Sequence, residues 1–266
     1  MTTTYKAAPE IDVLTSQFPI PGFGLLPINA FVLHGTEPVL VDTGAVVESE
    51  AFMTALRSVI DPADLRWIWL THTDFDHIGT LHQLLAENPN LRVITTFLGV
   101  GIMTTSAPLP MDRVNLVNPG QKIAVGDRNL VAVKPPVFDN PSTTGFYDDT
   151  SGAFFSSDCF GALLQAIPER ADDLTAVELR DGQVFWATVD SPWLHKVDPA
   201  AFAKELEGIR ELNPKIVLSS HLPAASGAML PQLLSSLEAA PTAQPFVGPD
   251  QAALEQMLAQ MTEGAQ

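Results

Sequence analysis

Thr71-His72-Thr73-Asp74-Phe75-Asp76-His77 sets two histidines and two aspartates within six residues. The stretch follows the apolar run Leu65-Arg66-Trp67-Ile68-Trp69-Leu70, which reads as a short buried strand. It precedes Ile78, Leu81, Leu84 and Leu85, whose spacing is helical. A strand giving way to a helix leaves a loop held by rigid elements, where site residues collect. Four such side chains cannot be buried without partners, because unpaired charge in a core is very costly. A solvated, charged turn is the bland reading. Imidazole with carboxylate is the usual nitrogen and oxygen ligand set for divalent metals, so the stretch is read as a metal site.

Working outward, Ile28–Leu33 and Pro38–Val41 read as two strands joined through His34-Gly35-Thr36-Glu37, the second ending in Asp42-Thr43-Gly44. A helical pattern (Phe52, Leu56, Ile60) runs over 47–60 and stops at Asp61-Pro62. After the histidine loop come a helix from about 78 to 87 and a strand at 93–96. Residues 98–120 show no clean period. Ile123–Val125 and Leu130–Val133 flank Gly126-Asp127-Arg128-Asn129 as a hairpin, followed by a loop over 134–144. Ala153–Ser156 reads as a strand leading into Ser157-Asp158-Cys159. An amphipathic helix over 200–212 starts at Asp198-Pro199 and stops at Asn213-Pro214, and a last strand, Ile216–Leu218, delivers His221. Strands alternating with helices predict an α/β protein. Asp42, the 72–77 cluster, Asp158 and His221 all follow predicted strands, so they are expected to gather at one rim of a sheet.

The bounds narrow the classes. The 266 residues suit one large domain or two small ones; the reading adopted is one domain, with a core of about 25–225 and a helical extension over 226–266. A formal charge of −17 argues against nucleic acid or anionic membrane as partner, which need clustered Lys and Arg. A single cysteine, Cys159, precludes an internal disulfide. The first residues lack a signal peptide's basic start and apolar core, and no apolar run is long enough to span a bilayer. A soluble cytoplasmic protein is expected.

Asp42-Thr43-Gly44 after a strand, His72-x-Asp74-x-Asp76-His77, Asp158 after a strand and His221 after another together resemble the metallo-β-lactamase superfamily, in the right order over about residues 25–225. That resemblance implies a four-layer αββα sandwich with a metal site at one edge of the facing sheets. Hydrolases of the superfamily usually have histidine where Asp74 stands. A further histidine is expected in the loop before Asp158, yet none occurs between His82 and His195. Phe138 occupies the most similar position, and Asp139, Asn140, His195 or water could stand in. An acidic residue at the second motif position marks the flavodiiron and related oxygen-binding diiron proteins. Phe155-Ser156-Ser157-Asp158-Cys159-Phe160-Gly161 is similar to their Phe-Ser-Asn-Asp-Ala-Phe-Gly.

Carried over residue by residue, the resemblance implies that His72, Asp74 and Asp158 hold one metal, with Asp139 as a further candidate. Asp76, His77, Asp158 and His221 hold a second, and Asp42 orients the histidine loop. Exchanging imidazole for carboxylate hardens the site toward iron or manganese over zinc. The expectation is a stand-alone domain with two metal ions, iron first and zinc or manganese as alternatives, and no flavin module. It would bind, reduce or sense O2 or NO, with electrons from a separate donor protein and possible homo-oligomerisation. A hydrolase using a metal-bound hydroxide on an ester, lactone, thioester or phosphodiester is the second reading. A degenerate, non-catalytic metal-binding fold is the third. His34 and His82 are read as solvated or structural, Cys159 as packing, and Trp67 and Trp69 as core.

Overall fold

Trp67 and Trp69 point one way from their strand and Ile68 the other, since successive strand side chains alternate faces. In the computed structural model, which describes residues 1–263, that alternation separates two core layers. The tryptophans join Phe31, Leu33, Phe146, Phe155 and Leu218 between two sheets. Ile68 joins Val32, Leu40, Phe52, Leu56, Leu81 and Leu84 beneath helices.

The first sheet runs in chain order from β1 (Thr3–Ala8) through β2 (Ile11–Ile20), β3 (Gly24–Leu33), β4 (Val39–Val41), β5 (Trp67–Trp69) and β6 (Arg92–Thr95) to β7 (Val114–Leu116). Helices α1 (Ser49–Val59), α2 (Leu81–Glu87) and α3 (Phe97–Thr104) connect strands β4 to β7. The second sheet comprises β8 (Lys122–Val125), β9 (Arg128–Val133), β10 (Gly145–Asp148), β11 (Ala153–Phe155), β12 (Ile216–Leu218) and β13 (Ala225–Ser226), in spatial order 13-12-11-10-9-8. Its outer face, with Phe154 and Val217, is covered by α4 (Ala176–Asp190), α5 (Pro199–Leu212) and α6 (Leu230–Ala239). A last helix, α7 (Gln251–Glu263), follows. Helix, sheet, sheet, helix is the expected αββα order.

Polarity of pairing places the site. β4, β5 and β6 are mutually parallel, as are β11 and β12, so the residues following each of these strands emerge at a shared rim. These short strands are apolar at nearly every position because both faces are covered.

The structure departs from expectation at several elements. The first sheet begins at Thr3, well before residue 25, because β1 and β2 pair antiparallel ahead of β3. Residues 97–104 are helical: Phe97, Leu98 and Ile102 are exposed while Met103 is buried, so apolar residues surround the helix and erase any period. The strand at Ile216–Leu218 is not the last; β13 pairs with it. Within 226–263 the segments 230–239 and 251–263 are α-helical. No helix among the described residues is long and apolar enough to cross a membrane.

Candidate metal centre

Asp42 follows β4 in the left-handed region, φ 58°, a conformation an aspartate tolerates better than most residues. Its Oδ1 accepts from the Thr71 amide at 2.8 Å and its Oδ2 from the Thr71 hydroxyl at 2.7 Å. Oδ2 also lies 2.9 Å from Nδ1 of His77. An aspartate that accepts here fixes the proton on Nδ1 and turns Nε2 toward the centre. The Asp42 turn and the histidine loop cross at close range: the Gly79 amide donates to the Gly44 carbonyl at 2.7 Å. A Cβ at Gly79 would stand 2.5 Å from that same oxygen, so the crossing requires glycine.

His72 and His221 are oriented in the same manner. The Thr71 hydroxyl and the Ser157 hydroxyl lie 3.2 and 3.1 Å from His72 Nδ1. His221 Nδ1–H donates to the Pro27 carbonyl at 2.8 Å, which ties the second sheet to β3. Asn29, also on β3, donates its amide to the carbonyls of Ser219 and Leu222. Asp158 sits on a tight turn in which Ser157 (φ 55°) and Phe160 (φ 71°) are left-handed. Ser157 accepts from the Ser220 amide at 2.9 Å and Gly161 donates back to the Asp158 carbonyl at 2.9 Å.

These elements converge. Asp158 Oδ1 lies 3.3 Å from His77 Nε2 and 3.4 Å from His221 Nε2, while its Oδ2 lies 3.3 Å from His72 Nε2. Asp76 Oδ2 lies 3.3 and 3.4 Å from the Nε2 atoms of His77 and His221. On the other side, His72 Nε2 is 3.9 Å from Asp74 and 4.0 Å from Asp139. Two groups able to hold an ion, Asp76–His77–His221 and His72–Asp74–Asp139, thus flank one buried carboxylate.

The buried atoms His72 Nε2, His77 Nε2 and Asp158 Oδ1 have no hydrogen-bond partner. Orphaned polar atoms at such density are costly in a core, and all three aim at the same space. A divalent cation satisfies every one of them, so the donor set fits a metal.

The electrostatics agree. Burial, with a contribution from His77, holds His72 well below the usual imidazole range. His77 goes the other way: burial opposes its charge, but Asp76, Asp158 and Asp42 together outweigh it and raise its pKa well above that range. Burial, reinforced by Asp190, Asp139 and Asp76, raises Asp158 despite His77. Burial and Asp74 lift Asp139 to about 6, and burial and Asp139 lift Asp190 to about 8. Crowded carboxylates around closely spaced imidazoles, shifting one another in opposite directions, are the electrostatic setting of a cation site.

The remaining candidates are accounted for. Asn140 donates to Asp74 Oδ1 at 2.7 Å while its own oxygen accepts from Ser142, so it steadies Asp74. His195 Nδ1 faces the Pro241 carbonyl at 3.4 Å in the helical layer and joins no ion-holding group among the described residues. Phe138 packs on Trp193 at 5.1 Å. His34 pairs with Asp12 at 2.6 Å and His82 is exposed. Cys159 is buried and burial pushes its thiol up, which makes it an inert packing group. Sequence reasoning missed Asp190, which brings a carboxylate within 4.8 Å of ligand atoms of Asp139 and Asp158. No motif flags it, because it belongs to a helix remote in sequence.

The Asp42→Asn protein tests the orienting role. Asparagine keeps the left-handed turn but puts an acceptor deficit beside His77 Nδ1. We expect metal affinity to fall roughly 10- to 100-fold in competition with a chromophoric chelator. Unchanged affinity would show that His77 needs no such orienter.

The chain is similar to several known proteins. Anaerobic nitric oxide reductase flavorubredoxin of Citrobacter koseri is 29% identical over 175 residues, 64% of this chain and 36% of that protein. The flavorubredoxin homolog of Escherichia coli O157:H7 is 27% identical over 173 residues, 64% of this chain and 42% of that protein. The chain therefore spans well under half the length of these curated relatives. Among solved structures, rubredoxin oxygen:oxidoreductase from Desulfovibrio gigas superimposes with a TM-score of 0.76 at 16% identity, covering 92% of this chain and 63% of that one. A flavoprotein from Thermotoga maritima gives 0.75 at 21%, covering 90% and 61%. A 254-residue fragment of a putative diflavin flavoprotein from Nostoc gives 0.75 at 15%, covering 91% and 97%. At these identities the structures establish the shared fold. The sequence model of the family described as ODP family beta lactamase matches residues 27–221, most of the chain and a span that holds every residue of the converging cluster, and the chain belongs to that family.

Proposed function

We propose that this chain is a binuclear metal protein, with iron as the metal, that binds, reduces or senses O2 or NO using electrons from a separate donor protein. The observation that carries the binuclear reading is the single buried carboxylate of Asp158, whose Oδ2 faces His72 Nε2 and whose Oδ1 faces the Nε2 atoms of His77 and His221, with those of His72 and His77 unpartnered. His72, Asp74, Asp139 and Asp158 would hold one ion, and Asp76, His77, Asp158 and His221 the other. Carboxylates outnumber imidazoles in this set, which favours iron or manganese over zinc. Two irons held there would supply redox and Lewis-acid chemistry toward a small diatomic ligand.

The chain's own residues prepare the centre for that role. Asp42, Thr71, Ser157 and Pro27 lock three imidazoles with Nε2 inward. Asn140 holds Asp74 at the more open side. Cys159, Phe160 and Leu222, which follow Asp158 and His221 in the chain, are buried in the apolar core and anchor both ligand turns to it. The names of the relatives, a nitric oxide reductase and an oxygen oxidoreductase, support a diatomic gas as ligand. The whole span of 1–266 is proposed to act as one domain.

The test is anaerobic reconstitution with iron(II), elemental analysis, and optical spectra before and after O2 or NO. About two irons per chain, the count of a two-metal centre, with a new near-ultraviolet or visible band on exposure, is the expected result. Tight zinc binding with no spectral response and turnover of ester or lactone substrates would overturn it.

A further inference from the structure

We infer that Asp190, at the C-terminal end of α4, is a metal ligand of this chain and, together with Asp139, takes the place of the imidazole missing from the loop before Asp158. The inference rests on the binuclear reading above.

Elimination within the structure leads to these two residues. The half of the centre around His72 has one imidazole where its counterpart has two, His77 and His221. Phe138 is engaged with Trp193 and lies under Lys134, whose Nζ is 3.7 Å from the ring centre. Asn140 has its amide on Asp74. His195 faces Pro241. What remains near His72 is oxygen: Asp74, Asp139 and Asp158, with Asp190 within 4.8 Å of both Asp139 and Asp158.

An acidic cluster alone proves nothing, but this one surrounds a second observation. His72, 1% exposed, aims a partnerless Nε2 at the same space. Three carboxylates within 4.8 Å repel strongly in a part-buried setting. Among the described residues, the ion-pair partners within 4.0 Å of Asp139 and Asp158 are histidines, and Asp190 accepts a long hydrogen bond from the Ser191 hydroxyl at 3.4 Å. A cation between His72 and these carboxylates satisfies all of them. The donor set becomes one nitrogen and several oxygens, a harder site than its neighbour.

The consequence is a chain whose two ion positions differ in preference, the His72 half favouring manganese(II) or iron(II) and the His77–His221 half tolerating softer metals. It also makes α4 part of the centre, so the helix end would shift when the ion leaves.

Anaerobic manganese(II) titration followed by electron paramagnetic resonance tests this, with Asp190→Asn, Asp190→His and, as control on the exposed side of the same helix, Asp181→Asn. Thermal melting checks that each is folded. In wild type and Asp181→Asn two ions bind. In Asp190→Asn one ion stays tight and the other weakens by roughly tenfold or more. Asp190→His restores the second ion and moves its preference toward zinc. Two ions with unchanged affinity in Asp190→Asn, or no zinc preference in Asp190→His, would overturn the Asp190 assignment alone. Fewer than two ions in the wild type would overturn the binuclear reading and this inference with it.

Discussion

The Asp158→Ala protein, reconstituted anaerobically with iron(II), retains almost no metal where the wild-type chain retains about two ions, and shows no new absorption band on exposure to O2 or NO. Asp158 is the residue whose oxygens reach both halves of the centre, Oδ1 toward His77 and His221 and Oδ2 toward His72. Its loss removes a ligand from each half and the screen between them. Asp74→Ala, by contrast, should cost only the His72 half, because Asp74 approaches His72 alone among the imidazoles. The fold should survive the change without metal: burial and the neighbouring carboxylates already disfavour the charged form of Asp158, so the metal-free variant loses little. The difference appears on adding metal. Ions at 100 times their dissociation constant stabilise the wild type by about 2.7 kcal/mol per site, and the variant gains nothing. Elemental analysis with thermal melting, plus and minus iron, reads both effects. Two ions retained in Asp158→Ala would show that this carboxylate does not bridge.

The candidate centre was legible in the sequence to the extent that its proposed ligands are side chains at strand ends. His72, Asp74, Asp76 and His77 lie in one loop, and Asp158 and His221 each follow an apolar strand, so residue type and position sufficed to bring them together. What orients them was less visible. Pro27 contributes a carbonyl, a group every residue carries and no motif encodes. Asn140 works only because a turn brings it back across 66 residues to Asp74. Asp190 ends a helix whose apolar residues are partly exposed, as Val177 shows, so its periodicity was faint and its position unreadable. The same applies to the fold. Buried strands such as Val39–Val41 and Ile216–Leu218 announce themselves by unbroken apolar runs. β1, exposed or half-buried along its whole length, and β10, where Gly145 and Asp148 bracket two aromatics, do not.

Replacing Asp148 with alanine should produce the largest loss of stability while leaving metal stoichiometry intact. Arg128 Nη1 meets Asp148 Oδ2 at 2.7 Å, and both residues are buried, at 8% and 0% exposure. Asp148 also accepts from the amides of Thr150 and Ser151 and from the Ser151 hydroxyl, which sets the turn between β10 and β11. Arg128 Nη2 donates to the His34 carbonyl at 2.8 Å, clamping the second sheet to the end of β3. Its Nε has no partner even in the intact protein. Truncation at 148 therefore strands a buried guanidinium, a change that costs about 3–5 kcal/mol. At about 2–4 °C per kcal/mol for a chain of this size class, the melting temperature should fall by roughly 6–20 °C. The double variant Arg128→Met with Asp148→Leu should recover part of that loss, because a buried pair exchanged for apolar groups is often neutral while the donors of Thr150 and Ser151 still lose their acceptor. Asp148 pairs with Ala153 at the start of β11, whereas Asp158 follows the far end of that strand, so iron binding below the transition should be unaffected. Urea unfolding with iron titration at low temperature separates the two effects. A loss under about 1 kcal/mol, the value of an exposed pair, would mean that water reaches Arg128 and that the clamp between the sheets lies elsewhere.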